Sequence, residues 1–329
     1  MSYPVPELNL LQAFDDSQAG LFAAWAGLDK FGEMDFLADE PELMRRLIRF
    51  ASANMSGSLY ALWRVDDRAD LATLPVVLLG DEGGLHLVAA DLREFFRLLG
   101  ALDEVLGCDE EDVFVVGDEE PMPARGAYLA WLDREFGLAA PEDPFDVIEE
   151  AQAKVGQRFA TWLHPIMPEA VYSPVHELNA LKKFENEPGE DYRFTDPYVD
   201  GFWLADGYGE SDLELDPQLK AAVIPFAEAG DTAWYALWRP NDRDVAAAPV
   251  VRAEEQGGIQ VVAKNLREFL QVLAATGNGG PRHRHYVAWL DRTFGLAPAD
   301  DPDTVVAAAN TELGSRLDAW LAARQFSSS

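Results

Sequence analysis

The chain has 329 residues, enough for two domains of ordinary size. Its 48% hydrophobic and 11% aromatic content is that of a globular protein. The 58 acidic residues against 26 basic ones leave a net charge of −32. Both halves share it, with 32 acidic against 12 basic residues up to Pro165 and 26 against 14 beyond. A field of that sign repels nucleic acid and anionic membrane and attracts basic partners at a salt-dependent rate, although solubility or a salty cytosol explains it as well. No apolar run approaches the roughly 18 residues of a membrane-spanning helix. Residues 1–11 lack the pattern of a secretory signal, and the single Cys108 allows no intrachain disulfide. A cytoplasmic location is expected.

In chain order, Leu43, Leu47, Ile48 and Phe50 recur at helical spacing and predict a helix over Pro41 to Ala53, with Pro41 in its first turn. Ser58 to Val65 is β-leaning and is followed by a polar turn at Asp66-Asp67-Arg68. Pro75–Leu79 and Leu85–Ala89 flank Gly80-Asp81-Glu82-Gly83-Gly84, a hairpin connection whose glycines supply positive φ. Asp91 followed by Glu94 opens a helix with Phe95, Leu98 and Leu99 as its buried stripe. A helix from Tyr128 to Phe136 ends at Gly137, and a last helix near Pro144 to Leu163 aligns Ile148, Val155, Phe159 and Trp162. Helix, strand meander, then helices on one face of the sheet is an α+β pattern.

The whole pattern recurs. Tyr60–Arg64 reappears as Tyr235–Arg239, Pro75-Val76-Val77 as Pro249-Val250-Val251, and Gly83-Gly84 as Gly257-Gly258. Val88-Ala89 and Leu92–Phe95 match Val262-Ala263 and Leu266–Phe269, and Asn265 stands where Asp91 does. Ala130–Arg134 with Phe136–Leu138 matches Ala288–Arg292 with Phe294–Leu296, and Glu7-Leu8-Asn9 matches Glu177-Leu178-Asn179. Shared order over this length is duplication. Each copy is long enough to be a domain, so residues 1–165 and 166–329 are expected to be two domains, joined through the proline-bearing His164–Pro168.

These strand, hairpin and strand-to-helix segments resemble the SUKH superfamily, which includes a yeast cell-wall-synthesis regulator and many bacterial immunity proteins. The resemblance implies a twisted, mostly antiparallel sheet with helices packed around it, twice in tandem, and a binding rather than catalytic role. Many such proteins are cytosolic antidotes that hold a nuclease or deaminase toxin inactive. The family's hairpin reads Gly, a small residue, then Glu-Gly. Gly80-Asp81-Glu82-Gly83 fits it, whereas Ala253-Glu254-Glu255-Gln256-Gly257 departs from it, so the second copy is expected to have lost or changed what that loop does.

The candidate partner-binding residues are Trp63, Arg64, Asp66, Asp67, Asp81, Glu82, Asp109, Glu110, Glu111, Asp112, Trp238 and Arg239. Strand alternation puts Trp63 and Arg64, or Trp238 and Arg239, on opposite faces. Such pairs are either interface anchors or core tryptophans beside a solvent-side arginine paired to a carboxylate. Asp66-Asp67 and Asp81-Glu82 would cluster at one end of the sheet, as acid–base or metal carboxylates or simply as turn residues. The copies differ most at Asp103–Glu120, which holds nine acidic residues, no basic one and a candidate strand at Val113–Val116. That segment is either a solvated loop, or its Asp109–Glu120 part is an acidic arm for a basic toxin cleft, or the arm is a partner for Arg282 and Arg284, where the second copy has only a shorter Thr276–Gly280 turn ahead of them. An isolated His283-x-His285 is a weak metal signature. No nucleophile elbow, phosphate loop or dinucleotide fingerprint is present, so neither cofactor nor metal is expected. The expected function is toxin neutralisation through a basic protein partner, without nucleic acid or membrane. The alternatives are a regulatory scaffold and, more remotely, an enzyme using the acidic turns.

Overall fold

The computed structural model describes residues 2–18, 27–32, 34, 40–81, 83–102, 105–109, 112–116, 124–187, 189, 198–211, 217–230, 232–240, 244–254 and 258–325. Two compact units, Met1–Ala170 and Val171–Ser329, divide the chain. The chain of the first unit continues past Leu163 in successive turns. Ile166 and Met167 N–H both donate to Leu163 O at 2.8 Å, and Ala170 N–H donates to Met167 O at 3.1 Å.

The first unit runs α1 (Pro6–Ser17), β1 (Gly27–Leu28), α2 (Pro41–Arg46), β2 (Leu47–Ser52), β3 (Leu59–Trp63), β4 (Val76–Leu79), β5 (Leu85–Ala89), α3 (Leu92–Ala101), β6 (Val105–Cys108), β7 (Val113–Val116), α4 (Arg125–Phe136) and α5 (Pro144–Leu163). The second runs α6 (His176–Asn186), β8 (Phe202–Leu204), α7 (Pro217–Lys220), β9 (Val223–Ala229), β10 (Ala233–Trp238), β11 (Val250–Glu254), β12 (Ile259–Ala263), α8 (Leu266–Thr276), α9 (Pro281–Phe294) and α10 (Pro302–Gln325). Each unit is α+β and holds an antiparallel five-stranded meander, β1-β2-β3-β4-β5 in the first and β12-β11-β10-β9-β8 in the second. The first adds the β6–β7 hairpin. Among the described residues no helix is long and apolar enough to cross a membrane.

Local chemistry sets the same joints in both units. Asp91 and Asn265 each accept the N–H of the glutamate three residues on at 2.9 Å, capping α3 and α8. Gly137 and Gly295 close α4 and α9 in the left-handed region, at φ 66° and 63°. Asn9 and Asn179 each bridge back six residues, accepting from Tyr3 or Ser173 N–H at 2.8 and 2.7 Å and donating to the same residue's carbonyl at 2.9 Å.

Helices cover both faces of each sheet, not one. Tyr60, Leu62, Val76, Leu78 and Val88 pack with α1, α3 and α4. The alternate residues face α5, where Trp63 meets Phe159 edge-on at 5.3 Å and Trp162 at 5.1 Å. In the second unit, Tyr235 and Leu237 pack with α6, α8 and α9, and Ala236, Trp238, Val251 and Val261 pack with Ala309, Leu313 and Leu317 of α10. One amide from each closing helix reaches the sheet: Gln152 donates to Leu87 O at 3.4 Å and Asn310 to Val261 O at 2.7 Å.

Two-sided burial also explains the one misread element. The helix predicted for 41–53 stops at Arg46, and the chain continues as β2, which pairs antiparallel with β3. Leu47, Ile48, Phe50 and Ala51 are all buried, so the alternation that marks a half-buried strand is absent and the spacing imitates a helix. Trp63→Ala leaves a cavity under α5 and is expected to destabilise the first unit by about 3–5 kcal/mol in urea unfolding of the full chain. A loss below about 1 kcal/mol would show that α5 does not seal this face.

Candidate partner-binding site

The structure separates the predicted site residues into buried, structural and surface groups. Trp63 and Trp238 are each 2% exposed, Trp238 lying 5.8 Å from Trp320 of α10. They are core residues, and the expectation that they anchor a partner is corrected: the closing helices occupy the surface an anchor would need. Arg64 and Arg239 are half-buried at the strand ends. Their N–H groups donate to Arg46 O at 2.7 Å and Ala222 O at 2.6 Å.

Asp66 and Asp81 do not form one cluster. β3 and β4 run antiparallel with Leu59 opposite Leu79 and Leu62 opposite Val76, so Asp66 follows one end of β3 and Asp81 lies beyond the other, roughly 16 Å of strand away. Asp66 accepts from Arg68 Nε and Nη2, both at 2.6 Å, and Arg158 of α5 stands 3.8 Å away. The Arg68 hydrogen bonds hold its carboxyl pKa down at about 2. Asp67 is exposed. Asp81 accepts from Ser58 Oγ at 2.5 Å and Ser56 Oγ at 3.1 Å, and the Ser58 bond lowers its pKa. Both aspartates organise turns. Glu82, Glu110 and Glu111 lie outside the described residues.

Asp81 does share its end of the sheet with Asp109 and Asp112, because the β6–β7 hairpin docks against the β4–β5 turn. Asp109 N–H donates to Asp112 O at 3.1 Å, Asp112 N–H donates to Asp109 Oδ1 at 2.8 Å, and His86 Nε2 donates to Asp109 O at 2.7 Å. Glycines make the docking possible. A Cβ on Gly84, at φ 81°, would lie 1.9 Å from Asp109 O, and one on Gly80 would lie 2.9 Å from Cys108 O and Sγ. Leu106, Cys108 and Val113 enter the core, and burial pushes the Cys108 thiol up to about 12. Phe114, Val115 and Val116 remain 41%, 41% and 44% exposed. Gly107 lies under two of them, since a Cβ there would come within 2.7 Å of Phe114 and 2.8 Å of Val116.

The second unit lacks this finger, and Glu254, paired with Arg252 Nη1 at 2.5 Å, stands where the first has Gly80. Its surface instead holds a cleft of about 760 Å³ lined by Glu185, Tyr198, Trp203, Asp206, Trp234 and Arg282 among others. Burial raises the Glu185 pKa, although Tyr198 Oη donates to its carboxylate at 3.0 Å and Leu204 N–H at 3.3 Å. Arg282 is buried and donates to Glu185 O at 2.6 Å, and Arg284 donates to Gly279 O at 2.7 Å. His283 engages backbone through both ring nitrogens, with Nε2 on Ala274 O at 2.9 Å and Nδ1 on Gly279 N–H at 3.2 Å. Among the described residues no group of three or more His, Cys, Asp or Glu side chains is placed to hold a metal ion. The exposed apolar residues of β7 and the two cleft tryptophans are absent from the sequence-derived candidates. The signal that marks them is a departure of one copy from the other. No family model, curated protein or solved structure matches this chain.

Cys108 is the only cysteine, so thiol labelling reports hairpin docking directly. Gly84→Ala is expected to speed labelling of the folded protein by about tenfold or more, the effect of losing about 1.4 kcal/mol of local stability. Unchanged labelling would contradict the docking. Asp66, with its folded pKa below the ordinary value, contributes stability that is complete above about pH 4 and lost as pH falls through about 2. Its carboxyl carbon should titrate near 2 by NMR, and Arg68→Gln should move that midpoint upward.

Proposed function

We propose that this chain is a non-catalytic cytoplasmic binding protein of two SUKH-like domains, an antidote that neutralises a nuclease or deaminase toxin by direct contact and needs no cofactor. The β6–β7 finger carries the reading. It is built into the core at Leu106, Cys108 and Val113 and present in only one of two otherwise similar units. It also exposes three consecutive apolar residues beside Asp109 and Asp112. Among the described residues β7 pairs only with β6, so its outer edge offers backbone groups for strand addition. Acidic flanks in a chain of net charge −32 steer a basic partner, and the apolar side chains then slow its release.

The exposed apolar residues also suit a second reading, a regulatory scaffold whose contact is insensitive to salt. Pull-down with the tagged full chain at about 50 mM and then higher salt separates the two. The antidote reading expects a basic polypeptide with nuclease or deaminase activity, released by salt and inhibited when rebound. The double substitution Phe114→Ser with Val116→Ser, at exposed positions, should weaken that complex about tenfold or more. Housekeeping or envelope proteins held through high salt, with no activity inhibited, would overturn it in favour of the scaffold.

A further inference from the structure

In the second unit Trp203, Glu228 and Trp234 stand directly opposite one another on β8, β9 and β10. Side chains at facing positions of antiparallel strands leave the same side of the sheet. Alternation from Ala236 and Trp238, which lie under α10, assigns Trp234, and with it the row, to that same side. The closing helix leaves the row open: Trp203 is 39% exposed, Glu228 is exposed and Trp234 is half-buried. All three border the cleft, together with Glu185, Asp206 and Glu210.

The first unit shows that the fold does not require these residues. Its equivalent row, by the same strand registers, is Gly27, Ser52 and Leu59. A small residue, a hydroxyl and a buried leucine serve there, where the second unit has two indoles flanking a carboxylate. Exposing that much indole is a cost to a domain that gains nothing from it.

We infer that the Trp203–Glu228–Trp234 row binds one cationic side chain, an arginine or lysine presented by a partner polypeptide. β8 and β10 are two strand spacings apart, about 10 Å, which admits a single guanidinium or ammonium between the indoles and over Glu228. Indole faces attract cations, and Glu228 supplies the counter-charge; among the described residues no lysine or arginine pairs with it. An apolar occupant would strip water from Glu228 without replacing its partners. An anion would meet four carboxylates on the cleft wall, Glu185, Asp206, Glu210 and Glu228. The two cations of that wall are already engaged, Lys182 with its Nζ 5.4 Å from the centre of the Tyr172 ring and Arg282 on Glu185 O. The inference rests on the second unit alone and does not depend on the antidote reading.

Titration of the full chain, with tryptophan indole N–H groups observed by NMR, tests it. The probe is the blocked peptide acetyl-Gly-Arg-Gly-amide, and acetyl-Gly-Glu-Gly-amide is the control. Two indole resonances, those lost in Trp203→Ala and in Trp234→Ala, should shift with the arginine peptide and not with the glutamate peptide. Glu228→Gln should weaken binding by about fivefold or more. Glu149→Gln, which removes an equal charge from an exposed site in the other unit, should leave it unchanged. Glu228→Gln removes no volume and carries the test even if a tryptophan variant fails to fold. Equal effects of Glu228→Gln and Glu149→Gln, or shifts spread over many indoles, would reduce the interaction to the chain's overall charge and overturn the inference.

Discussion

Because α5 and α10 close the second face of their sheets, the strands between must be apolar on both sides. Every residue of β3 is buried, and Trp63 and Trp238 fill the layer beneath the closing helices. A tryptophan side chain buries roughly 200 Å² or more, so these layers are a large part of each domain's hydrophobic stabilisation. They also leave no room for a partner over Trp63 and Trp238. Among the described residues, exposed ground therefore lies at turns, strand edges, the connections between helices and the uncovered end of the second sheet, where Trp203, Glu228 and Trp234 border the cleft.

The duplication separates the parts of the fold that both units share from those that only one has. Core joints coincide: the α3 and α8 caps, the Gly137 and Gly295 helix ends, and the side-chain bridges of Asn9 and Asn179. The units part at the periphery. One carries a finger between α3 and α4, seated on Gly80 and Gly84; the other runs from α8 to α9 through Thr276–Gly280 and has Glu254 where the finger would rest. One has Gly27, Ser52 and Leu59 across its first three strands, and the other has Trp203, Glu228 and Trp234. The finger extends the first unit's core through Leu106, Cys108 and Val113, while the helix caps and glycine helix ends common to both units stay in place.

Much of this was legible in residue order. Asp91 and Asn265, Gly137, the Gly83-Gly84 reversal and the limits of α5 follow from local backbone chemistry, and local chemistry is written in sequence. The departure of Glu254 from Gly80 was visible, but its cause was not, since the finger's contact with Gly80 is a tertiary fact. β2 was misread because a strand buried on both faces loses its alternation. Asp66 and Asp81 looked like neighbours because both occupy turns after strands, and only the antiparallel register sends them to opposite ends. The strand at Val113–Val116 was readable from its β-branched residues, whereas its exposure depends on what does not cover it. Trp63 and Trp238 carried both an interface and a core reading until the position of the last helix decided for the core.

Removing α10 tests the two-sided burial most directly. A chain ending after Asp301 loses the cover over Trp238, Val251 and Val261. Urea unfolding followed by tryptophan fluorescence should then show the second unit's transition lost or moved to much lower denaturant, with its tryptophans open to quenching before any denaturant is added, while the first unit unfolds as before. A second unit that keeps both its unfolding midpoint and its protected tryptophans would contradict the account.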